Sequence, residues 1–123
     1  MTEPADVARA IYQADVAKDR AAGEAFIARD FHFTSPLDNR IDRAVYFARC
    51  WPNSEHTAGF TFMYPLITDG DRVVVTYEST TTAGKRFRNT EILTVRDGQL
   101  IEAEVYFGWD VPHKAPMGGF VDE

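Results

Sequence analysis

The chain has 123 residues, 45% of them apolar and 13% aromatic, which suits one packed domain over residues 1–123 and excludes a disordered chain. Its formal net charge of −6 excludes sequence-independent binding to nucleic acid, which needs a basic face. Cys50 is the single cysteine, so no internal disulfide forms; no signal-like or membrane-spanning apolar run occurs, and the expectation is a soluble cytoplasmic protein with no membrane partner.

The front half reads as helix. Thr2 is a cap candidate and Pro4 sits in the first turn, both helix-start signals. Val7, Ile11 and Ala14 recur at helical spacing, with Ala8 and Tyr12 beside them. Lys18 to Arg20 break that pattern, and a shorter helix is expected around Ala21–Ala28. "FHFTSP" reads as a short strand stopped by Pro36. "LDNRIDRAVYFARCWP" reads as a third helix, capped by Asp38 or Asn39, with Ile41, Val45, Ala48 and Trp51 as its apolar stripe.

Near residue 56 the period changes. Four strands are expected, His56–Ile67, Arg72–Thr82, Arg86–Val95 and Gln99–Trp109, separated by "TDGD", "TAGK" and "RDGQ". Gly in each turn supplies the positive φ of tight hairpins. A mainly helical 1–52 followed by antiparallel strands over 56–109 is an α+β order, with three N-terminal helices on one curved sheet. The tail over 110–123 is rich in Pro and Gly and should be irregular.

The turns also imply a register. Three-residue loops at Thr82-Ala83-Gly84 and Arg96-Asp97-Gly98 pair Val75 with Glu91, Tyr77 with Asn89, Glu91 with Ala103, and Phe87 with Phe107. They also set Arg88 opposite Tyr106 and Thr90 opposite Glu104 on the other face. A two-residue loop at Asp97-Gly98 would instead oppose Glu91 and Glu104, a like-charge pair, so the longer loop is preferred.

In "RFRNTEIL", Phe87 and Leu93 mark one face as the core side, yet Asn89 and Glu91 lie between them on that face. Burying a charge is costly unless it is paired, hydrated or neutralised. Glu91 therefore opens into a hydrated cup or sits dry with a raised pKa, in the range useful for acid–base work. Asn89 and Tyr77 converge on it, as a small-molecule site requires, and Tyr12 from the first helix either reaches the same cavity or packs that helix on the sheet. The competing reading is a polar network that fixes strand register, or an edge where that face is wet. Trp51, Phe33 and Phe107 read as pocket wall or core, and Val75 and Ala103 as the flanks of Glu91.

Other features carry less. Cys50 lies near a helix C-terminus, where the dipole opposes a thiolate. His32, His56 and His113 have no short ligand spacing, so no metal is expected, and no nucleotide or nucleophile-elbow motif points to a cofactor. Lys85-Arg86-Phe87-Arg88 reads as a solvated hairpin end.

"FHFTSPL", "FRNTEILTVRDGQLIEAEVYFGWD" and the helix between them resemble the SnoaL-like branch of the nuclear transport factor 2-like superfamily, which includes ketosteroid isomerase, over roughly residues 5–110. The resemblance implies an α+β cone enclosing a pocket, a homodimer, and a small hydrophobic ligand. Together with the inward face read above, it points to an isomerase, cyclase or dehydratase using Glu91 as acid or base with Asn89, Tyr77 and Tyr12 around it, or else to a non-catalytic ligand-binding or dimeric interaction domain. In ketosteroid isomerase the base is an Asp just before a Pro on the short strand; here Ser35 stands before Pro36 and is no base, so it enters as pocket wall. Tyr12 lies about where that enzyme's phenol donor comes from.

Overall fold

A computed structural model describes residues 3–119. The elements are α1 (Pro4–Ala17), α2 (Arg20–Phe26), β1 (Ile27–Ser35), β2 (Asp38–Asp42), α3 (Arg43–Arg49), a 3-10 segment (Trp51–His56), β3 (Thr57–Phe62), β4 (Ile67–Asp69), β5 (Arg72–Thr81), β6 (Arg86–Arg96) and β7 (Gln99–Val111). The sheet order is β2-β1-β7-β6-β5-β3, with β4 also paired to β5. Every pairing is antiparallel except β1 with β7, which run parallel. The result is an α+β cone with the helices on its inner face.

Apolar spacing sets α1 against the sheet: Val7, Ala8, Ile11, Tyr12 and Ala14 are all buried there. Glu3 takes the N-cap position without a side-chain bond, and Thr2 lies outside the described residues. Lys18 ends the helix in the left-handed region at φ 57°. One residue on, the Asp19 carboxylate accepts the Ala22 N–H at 3.1 Å and starts α2. That helix stops at Phe26, because Ile27 and Ala28 already belong to β1. Trp51 packs against Gly23, where a Cβ would lie 2.7 Å from the indole ring, so only glycine allows this approach.

The segment after Pro36 departs from expectation. Asp38–Asp42 is a strand, not the first turn of a helix, and Ile41 pairs with Phe33 of β1. Ser35 Oγ accepts the Leu37 N–H at 3.1 Å and donates to the Asp38 carboxylate at 3.2 Å, which folds the turn. The cap of α3 is Asp42, whose carboxylate accepts the Val45 N–H at 2.9 Å. Phe47 rather than Ala48 is the buried anchor of that helix, with the Arg20 and Arg43 guanidinium groups 5.1 and 5.0 Å from its ring centre.

The expected strand His56–Ile67 is broken. β3 and β4 pair with successive stretches of β5, and Met63–Leu66, which contains Pro65, interrupts them. The β5–β6 loop is as expected, with Gly84 at φ 83°, Val75 opposite Glu91 and Tyr77 opposite Asn89.

The β6–β7 register is corrected. Asp97 (φ 52°) and Gly98 (φ 75°) form a two-residue turn, with Arg96 opposite Gln99. The feared Glu91–Glu104 opposition is avoided by a bulge: Val95 pairs with Leu100 and Thr94 with Glu102, which leaves Ile101 as one extra residue on β7. Glu91 therefore faces Val105, Leu93 faces Ala103, Asn89 faces Phe107, and Phe87 faces Asp110. On the other face Arg88 pairs with Glu78, and Tyr106 and Glu104 oppose Thr90 and Ile92. Beyond Val111 the described tail has neither helix nor strand; residues 120–123 lie outside the described residues. Among the described residues no helix is long and apolar enough to cross a membrane.

Candidate functional site

Glu91 ends a directed chain of hydrogen bonds. A second register shift on β7, between the partners of Phe87 and Asn89, sets Gly108 close against β6. Its own side of the strand has no room, since a Cβ would fall 2.3 Å from the Arg88 carbonyl oxygen. From there the Gly108 N–H donates to Asn89 Oδ1 at 3.3 Å. Asn89 Nδ2 donates to the Tyr77 hydroxyl at 3.3 Å, and that hydroxyl donates to Glu91 Oε2 at 2.6 Å. Every donor points toward the carboxylate, so the chain holds its rotamer and favours its charge. Sequence reasoning missed Gly108; a glycine between two aromatics near a strand end is its only signal.

In front of Glu91 lies a cavity of about 190 Å³. Glu91 retains some accessible surface, and it faces this space. Tyr12 reaches it from α1, Phe33 and Ser35 from β1, and Ala103 from β7, as the sequence placed them. Tyr77 and Asn89 stand behind Glu91 rather than on the cavity wall.

Three expected wall residues are corrected. Trp51 and Val75 are 5% and 1% exposed and belong to the core under α2 and the sheet. Phe107 pairs with Asn89 just before the register shift but is 52% exposed, beside Arg88, Gly108 and Trp109.

Two further carboxylates line the cavity. Asp15 comes from α1, one helical turn after Tyr12 minus one residue, and its Oδ1 is buried without a partner. Asp38 sits near Ser35, Arg49 at 3.7 Å and Cys50 Sγ at 4.0 Å. The signal for Asp15 was its place three residues from Tyr12, on the same face of the helix.

Burial pushes the Glu91 carboxyl up to about 7; the Tyr77 and Tyr12 hydroxyls oppose the rise, and Asp15 adds to it. The Asp15 carboxyl is raised to about 6, again by burial, with Lys18 opposing. Tyr12, Tyr46 and Tyr77 are all held well above the usual phenol range, first by burial and then by the charge of Glu91, so they act as donors and not as bases. The Tyr12 hydroxyl lies close enough to Glu91 to influence it, but it is itself fully buried and makes no well-formed hydrogen bond. Burial and Asp38 push the Cys50 thiol up to about 11, which makes it a poor nucleophile at neutral pH.

A larger open groove of about 830 Å³ lies on the other face of the sheet, lined by residues such as His32, Arg40, Thr94, Glu102 and Glu104. It is wide and polar, and the Arg40–Glu102 pair at 3.2 Å already satisfies part of its charge. The smaller cavity is the better candidate because its polar groups converge and are desolvated.

The geometry agrees with what the chain is similar to. A protein of Kribbella flavida is 25% identical, with 84% of each chain covered and a TM-score of 0.74. A second Kribbella flavida structure, provisionally described as a ketosteroid isomerase, is 17% identical, covering 98% of this chain and 88% of that one at a TM-score of 0.74. IdmH of Streptomyces antibioticus, provisionally described as a polyketide cyclase, is 20% identical, covering 84% and 90% at a TM-score of 0.68. No curated protein matches the chain. The family model of the SnoaL-like domain matches residues 8–103. With that match over most of its length, the chain belongs to the SnoaL-like domain family.

Proposed function

We propose that the cavity binds a small, largely apolar molecule and that Glu91 transfers a proton to or from it, the step shared by isomerase, cyclase and dehydratase chemistry. The observation that carries this reading is the Glu91 carboxyl, facing the cavity and raised by burial to about 7. At that value the group is near half-protonated at neutral pH and serves equally as acid or base. Tyr77 and Asn89 position it, and the unpaired Tyr12 hydroxyl beside Glu91 is the donor for charge that develops on the substrate once the ligand displaces its surroundings. Deuterium wash-in from D₂O into a panel of neutral, anionic and ammonium-bearing one-ring ketones, read by mass spectrometry, tests it. Exchange by the native chain, lost at least ~100-fold in Glu91→Gln, supports proton transfer. Exchange equal in both, or none above buffer, favours a non-catalytic binding domain.

The outer face supports a second copy of the chain as partner. Tyr64, Tyr106, Phe107 and Trp109 are each more than half exposed and cluster there beside Arg88. Arg88 pairs with Glu78, so both charge signs flank the patch, as a self-complementary contact requires. Light scattering at micromolar concentration should give a dimer, and Trp109→Asp a monomer.

A further inference from the structure

The geometry points to a small organic cation, of about one ring and bearing a protonated nitrogen, as the occupant of the Glu91 cavity. This rests on the reading of that cavity as the ligand site and adds the charge of the ligand.

Three observations carry it. First, the lining holds three carboxylates, Asp15, Asp38 and Glu91, and no Lys, Arg or His. Asp38 has Arg49 beside it, from a side chain that is mostly solvent-exposed. Asp15 has Lys18 outside the cavity, whose ammonium donates to the Thr57 carbonyl at 3.4 Å. Among the described residues no cation pairs with Glu91; its hydrogen-bond partner is the neutral Tyr77 hydroxyl, which Asn89 holds in turn. An anionic ligand would meet repulsion with no compensating donor charge. A cation would supply the missing partner to Glu91 and Asp15 together.

Second, five aromatic rings line the same space: Tyr12, Phe31, Phe33, Tyr46 and Phe60. Their faces attract a desolvated cation and accept a flat apolar body. Third, two polar atoms are left without partners there. The Tyr12 hydroxyl, on a side chain 7% exposed, and Asp15 Oδ1 are both buried and unsatisfied. Buried polar groups are rarely orphaned. Asp15 Oδ1 can only accept while ionised, so its missing partner is a donor, and an ammonium has donors to spare.

Size sets the limit. A cavity of 150 Å³ holds benzene. At about 190 Å³ this one has room for roughly seven to nine non-hydrogen atoms, a single ring with a short substituent. A four-ring skeleton does not fit. The ammonium also replaces the proton that Glu91 and Asp15 otherwise take up to escape their charge.

The test is calorimetric titration of the full chain at pH 8 with benzylammonium chloride, benzyl alcohol and sodium benzoate, three probes of one shape and different charge. Benzylammonium should bind at least tenfold tighter than benzyl alcohol, and benzoate should not bind. Glu91→Gln keeps the side-chain shape and should reduce the preference for benzylammonium over benzyl alcohol at least tenfold; Asp15→Asn should act the same way and less. Far-ultraviolet circular dichroism establishes that both variants are folded. Benzyl alcohol binding as tightly as benzylammonium overturns the cation and leaves the pocket reading standing. Benzylammonium binding that neither variant weakens places it elsewhere and overturns the inference. Binding by none of the probes overturns the inference and counts against the ligand site itself.

Discussion

Strand β6 carries polar side chains on both faces, and the two sets are held in different ways. On the outer face Arg86 and Arg88 reach Glu78 at 3.4 and 3.3 Å, and Thr90 meets Thr76 hydroxyl to hydroxyl at 2.8 Å. These partners are cross-strand neighbours, and water completes what they leave open. On the inner face Asn89 and Glu91 lie against the apolar core. Their partners are a phenol on β5 and a backbone N–H freed by a register shift on β7. Outer polarity is what any exposed strand has. Inner polarity, with an open cavity before it, costs stability, and the proposed ligand would account for that cost.

The contrast breaks most visibly at the cavity wall. Phe31 is 1% exposed and stacks edge-on with Tyr46 at 5.1 Å between ring centres. Phe31→Ala should cost about 3–5 kcal/mol in urea unfolding, while His32→Ala, next along the strand, should stay within about 0.5 kcal/mol. Equal losses would mean that the two faces are not distinct.

Tyr77→Phe sharpens it. The change removes the donor to Glu91 and leaves Asn89 Nδ2 without its acceptor. The loss should be about 1.5–3 kcal/mol at pH 8, because the bond is to a charged group. At pH 5 Glu91 is protonated and the loss should shrink. A loss that ignores pH would show that the bond serves packing alone.

Glu91→Gln reverses the sign. The folded-state pKa of about 7 exceeds the ordinary Glu value of 4.5. The group's stabilising contribution is thus complete below pH 4.5 and is lost as pH rises through 7; Asp15, raised from 3.8 to about 6, adds the same slope slightly lower. Native stability should therefore fall between pH 4.5 and 7 on account of these two groups. Glu91→Gln should flatten part of that fall and be about 1–2 kcal/mol more stable than the native chain at pH 8, discounted for the surface Glu91 shows to the cavity. Thermal melts across pH check it, and a variant less stable at pH 8 would sink the desolvated-carboxylate account.

Much of this was legible. Alternation in "RFRNTEIL" placed Asn89 and Glu91 inward, and the β5–β6 loop fixed Tyr77 beside them, because period two and loop length are local properties of the chain. The β6–β7 register was not, since a bulge at Ile101 restores face parity that turn length alone predicts wrongly. Asp38–Asp42 looked like a helix start because capping residues and strand residues overlap in type; pairing with β1 decided it. Asp15 was passed over because an acid in an amphipathic helix usually faces water, and only the cone's closure over α1 turns it inward. Phe107 shares parity with Asn89 and pairs with it, yet it is 52% exposed because it lies at the end of β7 away from the helices' cover.

Glu78→Gln, the smallest change, tests the outer half of the comparison. It weakens two ion pairs at once, but the Arg88 and Arg86 side chains are 37% and 48% exposed. Exposed pairs contribute about 0–1 kcal/mol, so the loss should be near 0.5 kcal/mol at low salt. Because the Debye length falls to about 3 Å at 1 M salt, the loss should vanish there. Tyr77→Phe should keep its full effect under the same salt, since Tyr77 is 4% exposed and its bond to Glu91 lies behind the cavity wall. If Glu78→Gln costs as much as Tyr77→Phe and resists salt as well, the outer network is as desolvated as the inner one. The inward carboxylate would then be one of two structural polar clusters, and its cost would no longer single out the cavity as the place where the protein works.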